Sequence, residues 1–269
     1  MKLGIGTYCY MWSIGFQGAA PEKPLTALGL LDKARQLGVS LVQVGPNLPL
    51  DKLPEAELAR FIQQAHESKI ELELGTRGLE TDHLSRQIAL ATHIGSRLLR
   101  TIPEIGGKPV DYHDIPRYLR AILPLLEKEG ISLGLENGNT PAKDLRWTLE
   151  QVNSPLLGIV LDMVNSLVVL EGWKYVTEVL APYTICLHHK EFIVKRVWSM
   201  MGFTVEGRPA GQGQLDTAWL LDTLQAVGAQ FNVILEAWPP EQKTLQETID
   251  LEETWVKESI PYLRRFVKG

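Results

Sequence analysis

Cysteine is scarce in this chain. Cys9 and Cys186 are the two cysteines among 269 residues, which supports no disulfide framework and fits a reducing compartment, the cytoplasm. No basic stripe or run occurs, and the formal net charge is −5. A nucleic-acid partner would therefore meet no electrostatic footprint. Long apolar runs are missing too. The apolar part of "MKLGIGTYCYMW" is too short for a signal peptide, and charged residues interrupt every other apolar stretch, so no membrane partner is expected. No linker, internal repeat or low-complexity tract stands out.

What the sequence does contain is apolar content, 45% of residues, enough in a chain of this length for a sizeable core. Eight short runs rich in Val, Ile and Leu recur at 2–7, 40–44, 70–75, 97–101, 131–136, 157–162, 184–188 and 231–236. Most are continuously apolar, as strands buried on both faces are. Helical spacing fills the gaps, in "LTALGLLDKARQLG", "EAELARFIQQAHES", "IPRYLRAILPLLEKEG" and "DTAWLLDTLQAVG". Gly38, Gly130 and Gly228 stand where helices stop. Strand then helix, about eight times, predicts an α/β fold, a single (β/α)8 TIM barrel over residues 1–269. The weakest units are "RLLRT" and the helix expected near 166–181. An open doubly wound sheet would call for a glycine-rich turn into a helix after the first strand, and "GIGTYC" does not supply one. The longest irregular segment, 192–215, follows the seventh strand. It would lie on the C-terminal face, where barrel enzymes build their sites.

The ends of the late strands carry the chemistry. The fifth run ends at Glu136, the sixth at Asp162, the seventh at His188 with His189 next, and the eighth at Glu236. In a barrel these four tips converge on one mouth. Three carboxylates packed together raise one another's pKa values, and a divalent cation removes the conflict. Three oxygen ligands and one imidazole suit Mn²⁺, Mg²⁺ or Co²⁺ before Zn²⁺. Strand alternation lets only one of the paired histidines face the mouth, and His189 is expected to pack outward or bond a helix. His66, His83, His93 and His113 read as surface residues.

The pieces "LGLENGN", "GIVLDMVNS", "LHHKEF", "GRPAGQGQLD" and "VILEAW" resemble the xylose-isomerase-like barrel superfamily. The likeness is to its sugar isomerase/epimerase branch, which includes tagatose and psicose 3-epimerases. The match covers the C-terminal half well and the N-terminal half in layout only. The resemblance implies that Glu136, Asp162, His188 and Glu236 ligate the metal and that Glu136 and Glu236 also move protons. It implies a substrate contact for Asn165, and it puts Lys190 and Glu191 beside the site. The expected activity is a metal-dependent isomerase or epimerase acting on a ketose through a metal-stabilised enediolate.

The same enolate arises when a 3-oxo sugar acid loses carbon dioxide. "VKRVWSMMGFTVEGRP" and "EAWPP" resemble a subgroup that includes a 3-oxo-isoapionate decarboxylase, so a lyase is the alternative. Arg77, Arg100, Arg196 and Arg208 are candidates to fork onto a substrate carboxylate. Tyr8, Trp12, Asn47 and Trp238 are candidates for the walls of a sugar pocket. Gly211 and Gly213 suit a tight turn before a helix. A related three-metal nuclease would need further histidines at the third and fourth strand ends, which read "GTRG" and "LRTIPE". A catalytically inactive sugar-binding barrel is the reading of another class, and loss of a ligand would mark it. Phe192, Val197, Trp198, Met200, Met201 and Phe203 give the long loop an apolar surface that fits a lid or a homo-oligomer contact.

Overall fold

The computed structural model describes residues 1–16 and 18–268. The eight apolar runs form the staves β1 (Leu3–Gly6), β2 (Leu41–Val44), β3 (Glu71–Gly75), β4 (Leu98–Thr101), β5 (Ser132–Glu136), β6 (Leu157–Asp162), β7 (Thr184–Lys190) and β8 (Asn232–Glu236). All pair in parallel, and β8 closes on β1 with Leu3 opposite Val233 and Ile5 opposite Leu235. The fold is a (β/α)8 TIM barrel.

The runs are apolar on both faces because each face meets a different core. Leu41, Leu98, Val160, Cys186 and Ile234 fill the axis as one plug. Leu3, Ile5, Val42, Leu133 and Leu161 belong to the larger core beneath the helices. The axial layer is tight: a Cβ added to Gly134 would lie 2.6 Å from Val160 Cγ2.

The outer ring is α1 (Ala27–Leu37), α2 (Glu55–Glu67), α3 (Thr81–His93), α4 (Ile115–Glu129), α5 (Ala142–Val152), α6 (Trp173–Leu180), α7 (Thr217–Ala226) and α8 (Leu245–Leu263). The ends follow local chemistry. Thr26 caps α1 by accepting from Gly29 N, and Thr244 with Glu247 forms a reciprocal capping box on α8. Gly38 and Gly130 end α1 and α4 in the left-handed region, at φ 67° and 65°. No helix among the described residues is long and apolar enough to cross a membrane.

The segment 192–215, expected to be irregular, contains an antiparallel hairpin, Phe192–Arg196 against Phe203–Gly207, with Phe192 opposite Gly207 and Arg196 opposite Phe203. Its strands stand outside the barrel sheet. Phe203, Thr204 and Val205 are exposed in succession, so no buried face imposes the alternation by which a strand is recognised. Trp198, Met200 and Met201 are exposed around its tip.

The base of the hairpin is tied to the barrel by Glu191. Its Oε1 accepts from Phe192 N at 3.1 Å and Leu215 N at 2.9 Å, and its Oε2 accepts from Gly211 N at 3.0 Å. Gly211 has φ +80°, and a Cβ on Gly213 would come within 2.4 Å of Glu191 Oε1. Those two glycines thus serve the turn and the close approach of a buried carboxylate.

A second tie lies after β1. Glu252 of α8 accepts from Trp12 N at 2.7 Å, Ser13 N at 2.9 Å and Ser13 Oγ at 2.9 Å, holding the one-turn helix Met11–Ile14.

Candidate metal centre

Strand register brings four side chains to the C-terminal mouth. Asp162 pairs with His188 across β6 and β7, and Ile234 pairs with His188 across β7 and β8, which sets Glu236 one inward step further along. Glu136, Asp162, His188 and Glu236 are 2%, 0%, 0% and 4% exposed. Ionisable groups buried this deeply need partners. Glu136, Asp162 and His188 each offer a ligand atom within 4.8 Å of the others. Glu236 joins through His188: its Oε1 lies 3.3 Å from His188 Nδ1, which is also 3.7 Å from Glu136 Oε2.

Two cations, the buried Arg100 and the half-buried Lys190, stand among these acids. Arg100, from β4, bonds Glu136 through Nε, and its Nη1 donates to Thr76 O at 3.3 Å. Lys190, the last residue of β7, lies 3.2 Å from Asp162 Oδ2 and 3.0 Å from Glu236 Oε2. It sits between the two carboxylates and spaces them. Asn165 Nδ2 donates to Glu136 Oε1 at 2.6 Å, and Asp162 Oδ1 accepts from Val164 N at 2.7 Å and Asn165 N at 2.9 Å.

This environment drives the carboxyls apart. Burial works to raise Glu236, yet Lys190, His188 and Arg100 outweigh it and hold it at about 2. For Asp162 burial outweighs Lys190 and the pKa rises, with Glu136 and Glu236 adding to the effect. Burial would discharge Lys190, but Asp162, Glu236 and Glu136 hold its pKa well above the ordinary value. Arg100 stays charged for the same reason.

The donor set fits a divalent cation. His188 Nε2 is 2.7 Å from Gln43 Oε1, while its Nδ1, on the carboxylate side, is buried without a hydrogen-bond partner. An imidazole nitrogen left unpaired among three carboxylates is a place for a metal ion. The oxygen-rich set favours a hard one.

A family model described as a xylose isomerase-like TIM barrel matches residues 27–266. The chain belongs to the xylose isomerase-like TIM barrels. It is 33% identical over 264 residues to a 3-oxo-isoapionate decarboxylase of Pectobacterium atrosepticum, covering 98% of this chain and 95% of that protein. Among solved structures it resembles a D-psicose 3-epimerase from Clostridium cellulolyticum H10 with D-tagatose (TM-score 0.73, 14% identity, 98% and 99% of the two chains). It also resembles a xylose isomerase-like TIM barrel protein from Mycobacterium smegmatis in complex with magnesium (TM-score 0.69, 15% identity, 97% of each chain). At these identities the two structures speak for the fold alone.

Within this xylose isomerase-like barrel the other candidates divide. Asn165 touches Glu136, and Lys190 touches Asp162 and Glu236. Tyr8 faces the same chamber: burial raises its phenol pKa, and Arg100, Glu236, Glu136 and Arg77 all act on it. Arg77 is forked onto Glu104 at 2.8 Å by both Nε and Nη2. Asn47 Nδ2 donates to Thr7 O at 3.3 Å, and Trp238 Nε1 donates to Glu191 O at 3.0 Å. Arg196 and Arg208 bond within the hairpin and its base rather than to the four central side chains. Arg196 bonds Met200 O on the hairpin, and Arg208 bonds Glu206 and Gly207 O. Glu206, two residues back on the same stretch of chain, supplies Arg208 with a carboxylate at 3.1 Å.

Trp12 is half-buried, with Nε1 unpartnered. His189 turns outward onto Thr217 Oγ1 at 2.9 Å, and burial lowers its pKa to about 4. His66, His93 and His113 are exposed. His83 departs from the surface reading, since it is half-buried and lies 2.7 Å from Thr76 Oγ1 at the end of β3.

Two residues of this site went unmarked in the sequence reading, Gln43 and Glu73. Gln43 is the lone polar side chain of "LVQV", and Glu73 is the buried one of the two glutamates in "ELELG". That interruption was the available signal.

Proposed function

We propose that this protein is a metal-dependent decarboxylase of a 3-oxo sugar acid. The observation that carries the reading is the pair of cations beside the candidate ligands, Arg100 buried and Lys190 half-buried. Counting only the groups at the mouth, three carboxylates against two cations leave one net negative charge. A divalent cation turns this into one net positive charge, which matches a substrate carrying a single carboxylate. A neutral ketose would leave that charge uncompensated in a buried chamber. The 33% identity to a 3-oxo-isoapionate decarboxylase along nearly the whole chain supports the same reading.

Glu136, Asp162, His188 and Glu236 would hold the cation, Mn²⁺ by preference, with Mg²⁺ or Co²⁺ as substitutes. When bound, it supplies Lewis acidity toward the substrate's 3-oxo group. The chain's own residues supply the rest. Arg100 and Lys190 offer fixed positive charge to orient the departing carboxylate. The bond between C2 and the carboxyl carbon breaks, carbon dioxide leaves, and the electron pair passes into the enolate of the ketone. One proton must then reach C2. Glu136 and Tyr8, the latter kept protonated by burial, are the candidate donors, whereas Glu236, held at about 2, has no proton to give. Asn165 steers Glu136 through its hydrogen bond.

A second reading, isomerisation or epimerisation of a ketose, draws on the same two glutamates, since one can remove a proton from carbon and the other return it. The two reactions separate in one experiment. Purified protein with Mn²⁺ in D₂O is given 3-oxo sugar acids and ketoses in parallel. The proposal expects carbon dioxide from an acid, one deuteron at C2 of the product, and no exchange into the ketoses. Carbon–hydrogen exchange in a ketose without gas release from any acid would replace it with the epimerase reading.

A further inference from the structure

Below the mouth, a column of polar side chains crosses the barrel interior. His188 Nε2 is 2.7 Å from Gln43 Oε1, and Gln43 Nε2 donates to Glu73 Oε2 at 3.0 Å. Asn232 Nδ2 donates to Glu73 Oε1 at 3.0 Å, and Asn232 Oδ1 accepts the backbone N–H of Lys2 at 3.0 Å. Gln43 and Glu73 are neighbours across β2 and β3, 4% and 3% exposed. The other contact of Gln43 Nε2 is the weak acceptor Cys186 Sγ, at 3.7 Å.

Burial raises the Glu73 carboxyl while the bonds from Asn232 and Gln43 oppose the rise, and with Glu73 ionised the direction of every bond in this column follows from its two ends. A backbone N–H can only donate, so Asn232 must offer it the amide oxygen and turn its NH₂ toward position 73. Glu73 carries an acceptor-only side chain when ionised. It takes one donor from Asn232 and a second from Gln43. Gln43 must therefore turn its NH₂ downward and its oxygen up to His188. An oxygen in that place accepts a proton, so His188 carries its hydrogen on Nε2 and a lone pair on Nδ1, the atom that lies among Glu136, Asp162 and Glu236.

We infer that Glu73 is a positioning residue for the candidate metal centre, setting through Gln43 the tautomer in which His188 can ligate a cation. The inference rests on the reading of Glu136, Asp162, His188 and Glu236 as a cation site. It extends that reading to a residue whose contacts lie with Gln43 and Asn232 rather than with any candidate ligand.

The test uses Glu73→Gln, which keeps the shape but accepts from one side only. Asn232 is pinned by Lys2 N–H, so the new amide must turn its oxygen to Asn232 and its NH₂ to Gln43. Gln43 then flips, presents its own NH₂ to His188 Nε2, and drives the proton to Nδ1. Adding Asn232→Asp to the same chain restores an acceptor-only group at the lower end. It returns both amides, and the imidazole, to their original sense.

The readout is the ¹⁵N chemical shifts of the His188 ring in the metal-free full-length protein, with the pH raised until the ring carries one proton. Mn²⁺ affinity is measured by titration in parallel. Wild type should show a protonated Nε2, Glu73→Gln a protonated Nδ1 with affinity reduced about 10–100-fold, and the double variant the wild-type pattern in both. A protonated Nδ1 in wild type would overturn the inference. So would a Glu73→Gln protein with unchanged tautomer and affinity within about twofold of wild type. If the tautomer follows the stated pattern but wild type takes up no cation, the inference about Glu73 stands and the cation reading falls. If Glu73→Gln does not fold, the wild-type spectrum alone still decides the tautomer.

Discussion

Replacing Arg100 with methionine isolates the electrostatic design of the mouth. The guanidinium is 4% exposed and bonded to Glu136, itself 2% exposed. Methionine fills similar volume and carries no charge, so the substitution strands a buried carboxylate. Breaking a buried pair from one side costs about 3–5 kcal/mol, and Thr76 O loses a donor worth roughly 1 kcal/mol. Glu136 can escape by taking up a proton, which costs about 1.4 kcal/mol for each pH unit above an ordinary glutamate pKa near 4.3. That ceiling is roughly 2 kcal/mol at pH 6 and about 5 kcal/mol at pH 8. The sign is that of an acid whose folded pKa has risen, so stability is lost as pH increases. With the Thr76 O term included, urea unfolding in a chelator should therefore show a deficit of about 3 kcal/mol at pH 6 that widens to about 4–6 kcal/mol at pH 8. A divalent cation restores positive charge beside Glu136, so saturating Mn²⁺ should stabilise Arg100→Met more than wild type and narrow the pH 8 gap below about 2 kcal/mol. A variant as stable as wild type in chelator, or a gap that Mn²⁺ leaves unchanged, would refute the reasoning.

Two further predictions concern the loops that frame the mouth. Burial pushes the Glu252 carboxyl up to about 7, against the hydrogen bonds from Trp12 and Ser13. Its contribution is fully present below the unfolded pKa near 4.3 and is lost as pH rises through about 7, with roughly 2–3 kcal/mol of the loss falling between pH 5 and pH 8. Urea unfolding from pH 5 to pH 8 should show that decline, and Glu252→Gln should flatten it. Glu191→Gln turns an NH₂ toward one set of the three backbone N–H groups the carboxylate now accepts, at a cost of about 2–4 kcal/mol. Hydrogen exchange across 192–215 should rise more than exchange in the barrel strands, and equal protection in both proteins would count against the tie.

The barrel was legible because its signal is one of composition. β6 spans Leu157–Asp162, the run read from sequence, and the other strands begin or end within a residue or two of theirs. Strands buried on both faces need no neighbour to be recognised. The hairpin at 192–207 was not legible for the opposite reason, since most of its side chains meet solvent. Convergence of Glu136, Asp162, His188 and Glu236 followed from strand ends alone, because parallel strands in a barrel share one mouth. Among four arginines that looked equivalent, Arg100 is the one inside a barrel strand, on an inward position, and that placement sent it to the chamber. Arg196 and Arg208 had acceptors on their own hairpin. Gln43 and Glu73 lie 30 residues apart and become a pair only when β2 meets β3. Sequence gives each as an isolated polar interruption and withholds the register that joins them.

The ion pairs at the mouth also constrain the order of events there. Lys190 Nζ donates to Asp162 Oδ2 and Glu236 Oε2, and Arg100 Nε donates to Glu136 Oε2. A divalent cation drawing on those oxygens competes with both side chains for the same lone pairs. Its charge weakens their attraction to the carboxylates, because two positive groups on one acceptor repel. Lys190 and Arg100 would then be left fully charged in a buried chamber with their partners partly taken, a condition that costs free energy until another anion arrives. Loading the metal site and recruiting an anionic substrate are in this way one coupled equilibrium, and reciprocity requires each to tighten the other. Under the proposed decarboxylase reading, a site that holds its own cations in reserve would favour a carboxylate-bearing substrate only once the metal is in place.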